Sequence, residues 1–283
     1  MNKSPEASAT APGQARPVML ARGTTITQAQ NAIAANCVVH LASNIAPICA
    51  RRDPEGLHQA HVATRRLRTM VQVFRPAVMA AQSPAWARID ATLQQLGRRM
   101  GEARDCHLLL ARGDIPARTA RHLCAAAAAH HKAICATLHD AIFRADMVTL
   151  LTTAGLCPAT PDLATWAGAV LDRLVRQLRS AGQRLADQPP EQQHRARIRA
   201  KRLRYAMEFF ASLHDCRRQR RRYHRLLKHL GALQDSLGTL NDLATIERVL
   251  GPGHGASAAA RDRLAAQAQA QLATVLDDRP FWR

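Results

Sequence analysis

The chain has 283 residues, with 40 Lys and Arg against 21 Asp and Glu, and carries a formal net charge of +19. Apolar residues reach 47% but aromatics only 4%; this Ala-, Leu- and Arg-rich mixture sets aside a strand-rich fold and favours an all-α protein, long enough to bury a core as one large domain or two halves. The excess charge selects polyanionic partners: nucleic acid, polyphosphate or an acidic membrane surface.

Residues 1–24 are rich in Ala, Pro, Ser and Gly and read as a disordered tail. Apolar positions at Ile26, Ala29, Ile33, Val38, Leu41 and Ile45 predict a first helix over 25–52, kinked at Pro47. Asp53-Pro54-Glu55 starts a second, with Asp as N-cap and Pro at the first helical position, expected to reach Ala80. Ser83-Pro84 opens a third helix to Ala111, and Pro116 a fourth to Ala145. A loop over 151–161 leads to Pro161-Asp162, which starts a second half. Its first helix ends before Pro189-Pro190, and the next spans Glu191 to Leu213. A long helix follows from Arg217 to Leu250, where Gly251-Pro252-Gly253 stops it, and a last one covers Ala256 to Leu276. Each half, 25–145 and 161–276, is thus expected to hold four helices.

The seven cysteines form no C-x-x-C pair and fall within helical patterns, which predicts reduced, buried thiols in a cytosol. The N-terminus has no apolar secretory core, and no stretch approaches the roughly 20 apolar residues of a membrane span.

The most informative feature is a basic helix written twice. Residues 58–68 read HQAHVATRRLR, and 136 residues later 194–204 read HRARIRAKRLR. Five of the eleven positions are identical: His58/His194, Ala60/Ala196, Arg66/Arg202, Leu67/Leu203 and Arg68/Arg204. Arg65/Lys201 keeps its charge. With 100° per residue, Arg197, Lys201, Tyr205 and Glu208 lie within about 60° of His194, and Arg204 at about −80°. Leu203, Met207 and Phe210 take the opposite side. In the first copy His58, His61, Arg65 and Arg68 face Leu67, Val71 and Phe74 across the helix, while Arg66 and Arg202 sit at the stripe's edge. Like charges stacked at i,i+3 and i,i+4 destabilise a lone helix, so the pattern makes sense if an anion neutralises them. A solvated basic surface is the plain alternative.

A second element repeats at nearly the same offset: GEARD at 101–105 and GTLND at 238–242. Its glycines permit close helix approach. Asp105 and Asp242 either orient the arginines from behind by charge-assisted bonds or serve as simple interhelical salt bridges. On the last of these helices Asp242, Asp235, Lys228 and His224 share a stripe.

The motifs DPEGLHQAHVATRRLR (53–68), LGRRMGEARD (96–105), HRARIRAKRLRYAMEFF (194–210) and LGALQDSLGTLND (230–242) resemble the CHAD family, the conserved-histidine α-helical domains. The likeness covers residues 25–276. It implies two four-helix halves related by a pseudo-twofold axis around a basic central pore that binds inorganic polyphosphate, and association with polyphosphate granules or with polyester storage granules. Carried over by position, the anion-binding residues are His58, Arg65, Arg68, His194, Arg197, Lys201 and Arg204, joined by His61, Arg66, Arg202, Tyr205 and Lys228. The family usually has arginine where this chain has His61, which implies weaker, more pH-sensitive binding on that half.

The leading expectation is a non-enzymatic, cytoplasmic polyphosphate-binding module without cofactor. Nucleic-acid binding is permitted by charge, but zinc-finger spacing, an obvious helix-turn-helix and stacking aromatics are missing. A metal held by His58, His61 and His194 would sit among cations that repel it. Triphosphate-cleaving relatives carry an E-x-E-x-K motif, which this chain lacks, so no catalytic residue is expected.

Overall fold

A computed structural model describes residues 11–79, 82–153 and 162–283. These fold as an all-α protein. The helices are α1 (Ile26–Ala42), α2 (Ile45–Arg51), α3 (Pro54–Phe74), α4 (Ser83–Leu110), α5 (Ala117–His139), α6 (Ala141–Leu151), α7 (Leu163–Ala181), α8 (Pro190–Phe210), α9 (Arg217–Leu250) and α10 (Ala258–Asp277).

Local chemistry sets the starts. Thr25 caps α1 in a reciprocal box with Gln28. Asp53 accepts from the Glu55 amide ahead of Pro54, fixing where the first basic helix begins. Asp162 accepts from the amides of Ala164 and Thr165 at the head of α7. At the other ends, Pro76 and the short 3-10 turn Arg75–Ala77 stop α3, and the turn Ala211–Leu213 follows α8.

The two halves repeat one packing order. In the first, α1 lies on α3, α3 on α4 and α4 on α5; in the second, α7 lies on α8, α8 on α9 and α9 on α10. Across the seam α3 meets α8, and α4 meets α9. Two phenylalanines at equivalent repeat positions, Phe74 and Phe210, close that seam with centroids 6.3 Å apart. Trp166 of α7 stacks on both, at 4.9 Å and 6.0 Å. One continuous apolar core runs through both halves. Ala60, Ala63, Ala196 and Ala200 are fully enclosed, so the two basic helices approach their neighbours closely.

Several expectations are corrected. Of the expected disordered tail, residues 11–24 pack on the body: Val18 and Leu20 are buried, the Leu20 amide donates to Ser212 Oγ, and Asn44 and Asn36 donate to the Gly13 and Arg16 carbonyls. Residues 1–10 lie outside the described part. The expected helix over 25–52 is two helices, broken at Ser43–Asn44 rather than kinked at Pro47. Asn44 is buried there and donates back to the His40 carbonyl, while Pro47 sits in the first turn of α2, where its missing amide is harmless. The expected helix 116–145 is likewise α5 and α6, because Asp140 caps a new start by accepting from the Phe143 amide. The first half thus holds six helices among the described residues, not four. Ala80 and most of the expected loop 151–161 lie outside the described residues.

The thiol expectation also fails in part. Cys49 and Cys135 are bonded as a disulfide linking α2 to α5, Cα to Cα 5.7 Å; Cys37 and Cys106 are buried thiols, but Cys124 and Cys216 are exposed. One segment, 26–50, is apolar and long enough by composition to cross a membrane, against the expectation of none; nearly half of it is buried in this fold, in the face of α1 that packs the core.

The aromatic seam is the part most sensitive to truncation. Phe74→Ala is expected to destabilise the protein by about 3–5 kcal/mol, read as a lower urea midpoint with the native helical signal unchanged in water.

Candidate functional site

The periodicity of α3 and α8 sends one stripe of each away from the core, and the helices that flank them, α4 and α9, close over it. The result is a cleft of about 1250 Å³ between α3, α4, α8 and α9. Room for it comes from two glycines at equivalent positions: a Cβ on Gly101 would stand 3.4 Å from the His61 ring, and one on Gly238 would stand 4.0 Å from the Arg197 guanidinium. Larger side chains there would crowd the residues that the cleft presents.

Most of the expected residues meet in this cleft. From α3 come His58, His61, Arg65 and Arg68; from α8 come His194, Arg197, Lys201, Arg202 and Tyr205. Asp105 of α4 and Asp242 of α9 stand at its wall. Three expected residues lie elsewhere. Arg66 is buried, pairs with Glu208 at 2.5 Å, donates to Asn36 and covers the Phe209 ring at 5.2 Å. Arg204 donates to the other oxygen of Glu208 at 3.1 Å and to Gln234 at 3.4 Å. Lys228 is exposed on α9, outside the cleft. The first two are neutralised internally because Glu208, one turn beyond Arg204, places its carboxylate between them.

Further residues line the cleft. Arg104 of α4 adds charge, Arg98 of α4 is paired with Glu102 at 3.7 Å, Asp53 and Glu55 from the start of α3 add carboxylates, and Asn241 of α9 accepts at 2.6 Å from His194 Nδ1, which leaves His194 Nε2 as the acceptor end of the ring. The signal for two of them was present: Arg104 and Asn241 directly precede Asp105 and Asp242 in GEARD and GTLND.

The electrostatics are those of a crowded, partly buried cationic cluster. Among the described residues, Arg65, Arg104, Arg197 and Lys201 make no hydrogen bond or ion pair to protein, and the Arg197 Nε, His58 Nδ1 and His61 Nδ1 atoms are buried without partners. Burial, then the neighbouring Arg65, Arg197 and Arg104 charges, push the Lys201 ammonium from its ordinary 10.5 down to about 6. Burial, Arg197 and Arg104 bring Arg65 to about 10 against the pull of Tyr205. Arg202 falls to about 10 through burial and the nearby Arg199 and Arg68. All three histidines are held below their ordinary value, chiefly by burial, His61 most of all. Asp105 is raised, first by burial and then by Asp242. Arg68 is the exception: it donates to Asp90 at 2.9 Å and Gln94 at 2.8 Å.

A larger cavity of about 1870 Å³ lies between residues 15–27 and 211–224. There Arg66 and Glu208 neutralise each other, and Arg16, Arg22 and Arg220 share the lining with Asp162 and Asp215. Among the described residues, no group of three or more His, Cys, Asp and Glu stands where it could hold a metal ion.

The profile of the CHAD domain matches residues 32–251. The chain belongs to the CHAD family. The crystal structure of the CHAD domain from the plant Ricinus communis is similar over 93% of this chain and 92% of that one, at 29% identity and a TM-score of 0.69. PptA from Streptomyces chartreusis aligns over 88% of this chain and 95% of its own, at 16% identity and a TM-score of 0.48. A search of curated proteins returned no match. The cleft of this CHAD domain is built from all four motifs that carried the resemblance, and His61, where the resemblance implied arginine, supplies it with a neutral ring.

The Lys201 shift has a stability consequence of fixed sign. The unfolded chain holds the Lys201 proton up to 10.5 and the folded cleft only to about 6. The unfolded state therefore binds more protons in between, and the ligand-free protein loses stability as pH falls through that window. Lys201→Met is expected to raise the melting temperature at pH 7 by roughly 2–4 °C, a gain that shrinks towards pH 10; a calorimetric melting series against pH checks it.

Proposed function

We propose that this CHAD protein binds inorganic polyphosphate in the cleft between α3, α4, α8 and α9, as a non-enzymatic module, and that binding carries it to polyphosphate granules in the cytoplasm. The observation that carries this is that Arg65, Arg104, Arg197 and Lys201 stand together with no hydrogen bond or ion pair to protein among the described residues, crowded and buried enough that Lys201 gives up its proton near pH 6. Like charges at these distances repel in a cleft that water only partly screens, and a polymer of phosphates is the ligand that answers several of them at once. Arginine forks take phosphate oxygens in pairs, and Lys201 offers a point charge. On this proposal the cleft is the mouth of the pore between the two halves, and Asp105 and Asp242 hold the arginines in place from its wall.

A non-enzymatic role is supported by the lining. Five carboxylates, Asp53, Glu55, Glu102, Asp105 and Asp242, line the cleft, but among the described residues no three acids, histidines or cysteines converge where a metal could be held, and the arginines beside them make a poor setting for a divalent cation or for activating water. Nucleic acid remains the competing ligand on charge alone. No aromatic ring in the cleft other than Tyr205 and the histidines offers a stacking face, which favours a ligand without bases.

Calorimetric titration with long-chain polyphosphate tests the proposal. Wild type is expected to bind with an affinity that falls steeply with salt, as counterions are released. Arg197→Ala/Lys201→Ala is expected to weaken binding about 100-fold, since each charged hydrogen bond contributes about 1.5–3 kcal/mol. Binding should take up protons near pH 7, because the anion restores the Lys201 charge, and affinity should rise as pH falls from 8 to 6. Double-stranded DNA that competes on equal terms, or phosphate released in the presence of Mg²⁺ or Mn²⁺, would count against the proposal.

A further inference from the structure

The first nine residues of α9 read RRQRRRYHR and hold six arginines. Arg225 pairs with Asp278 at 2.9 Å, and Arg222 donates to the Pro280 and Arg283 carbonyls at 3.4 Å and 3.0 Å, which ties the C-terminal segment to the helix. Arg217, Arg218 and Arg221 are exposed and, among the described residues, make no hydrogen bond or ion pair. Together with Arg222, Arg225 and Arg279, and with the carboxylates of Asp277 and Asp278, they line a shallow notch of about 750 Å³ between α9 and the end of α10, where six arginines face two acids. These charges stand at the wrong end of a helix. The N-terminal turns carry the positive end of the macrodipole, so each arginine there is disfavoured, and the N-cap Cys216 contributes no side-chain bond to relieve it. An anion seated in the notch would satisfy both the guanidinium groups and the helix end.

We infer that this arginine notch is a second polyphosphate subsite, which engages the distal part of a chain whose other part lies in the cleft. The inference rests on the reading of the cleft given above. Arg221 and Asp242 are separated by roughly 30 Å of α9 at 1.5 Å per residue, and lie within about 60° of one another around its axis. Lys228 and Asp235, both exposed, fall between them on the same side; Lys228 has no partner among the described residues and is a lysine that the cleft does not use. A linear polyanion can follow such a track, whereas a compact anion can occupy only one end. A membrane surface fits less well: the large exposed apolar side chains, such as Met19, Val39, Ile142, Val148 and Ile198, lie on α1, α6, α8 and the N-terminal segment, and none lies on α9 or beside the notch. The consequence is a preference for long chains, because the second contact becomes intramolecular once the first is made.

The test compares tripolyphosphate, too short to span both sites, with long-chain polyphosphate. Three full-length proteins are titrated: wild type, Arg217→Ala/Arg218→Ala/Arg221→Ala, and Arg197→Ala/Lys201→Ala. The notch variant is expected to lose about tenfold or more in affinity for the long chain, with a shallower salt dependence, and to bind tripolyphosphate as wild type does. Its melting temperature, expected to be equal or higher since repulsion is removed, serves as the folding control. Long-chain affinity within twofold of wild type overturns the inference, as does an equal loss for both ligands. Single-stranded DNA that displaces long-chain polyphosphate from wild type but not from the notch variant would also overturn it, assigning the notch to nucleic acid. Failure of the cleft reading shows separately, as unchanged tripolyphosphate binding in Arg197→Ala/Lys201→Ala.

Discussion

The architecture depends on one electrostatic constraint: Arg65, Arg104, Arg197 and Lys201 must be held side by side, partly out of water, with no ion pair to protein among the described residues. Mutual repulsion and lost hydration both work against that arrangement. It survives because the charged stripe is only one face of helices whose other faces are locked elsewhere. Leu67 and Phe74 on α3, and Leu203 and Phe210 on α8, are fully buried. The aromatic contact between Phe74, Trp166 and Phe210 fixes the two halves against each other at the far end of the same helices. The core therefore opposes what the cleft would otherwise do, which is to spread apart.

Where acids do enter, they divide the labour. Glu208 takes up Arg66 and Arg204, and Asp90 takes up Arg68, so these arginines serve to join helices. Burial and then Asp242 raise the Asp105 carboxyl, and neither acid makes an ion pair with the cluster among the described residues. The arginines that tie the structure together are thus those to which the packing brings a carboxylate within ion-pair distance.

The two halves are not equal, and their inequalities offset. The first half places His61 where the second has Arg197, and Arg104 where the second has Asn241. Each half therefore gives the cleft one arginine from this pair of positions, from α4 in one half and α8 in the other. His194 gains an amide partner in Asn241, whereas the Nδ1 of His58 stays without one. Arg104 on α4 thus offsets the charge that histidine rather than arginine at 61 leaves off α3.

Much of this was legible in the chain. Alanine and arginine content, apolar spacing and the caps at Asp53 and Asp162 determine helices, since those effects act within a few residues. The basic helix and its second copy, with the two G-x-x-x-D elements, were enough to name the family and most of the cleft. Other features needed the fold. Whether Asn44 or Pro47 breaks the first helix depends on a buried amide finding the His40 carbonyl. Cys49 and Cys135 meet only because α2 packs on α5, 86 residues away in sequence. That Arg66 and Arg204 are neutralised, while Arg104 and Lys201 are not, is decided by which carboxylates the packing brings near. Sequence by itself determined which residues are charged and on which face of each helix they stand; tertiary structure alone decided which of those charges lack a partner, because a counter-ion is a matter of distance in space rather than along the chain.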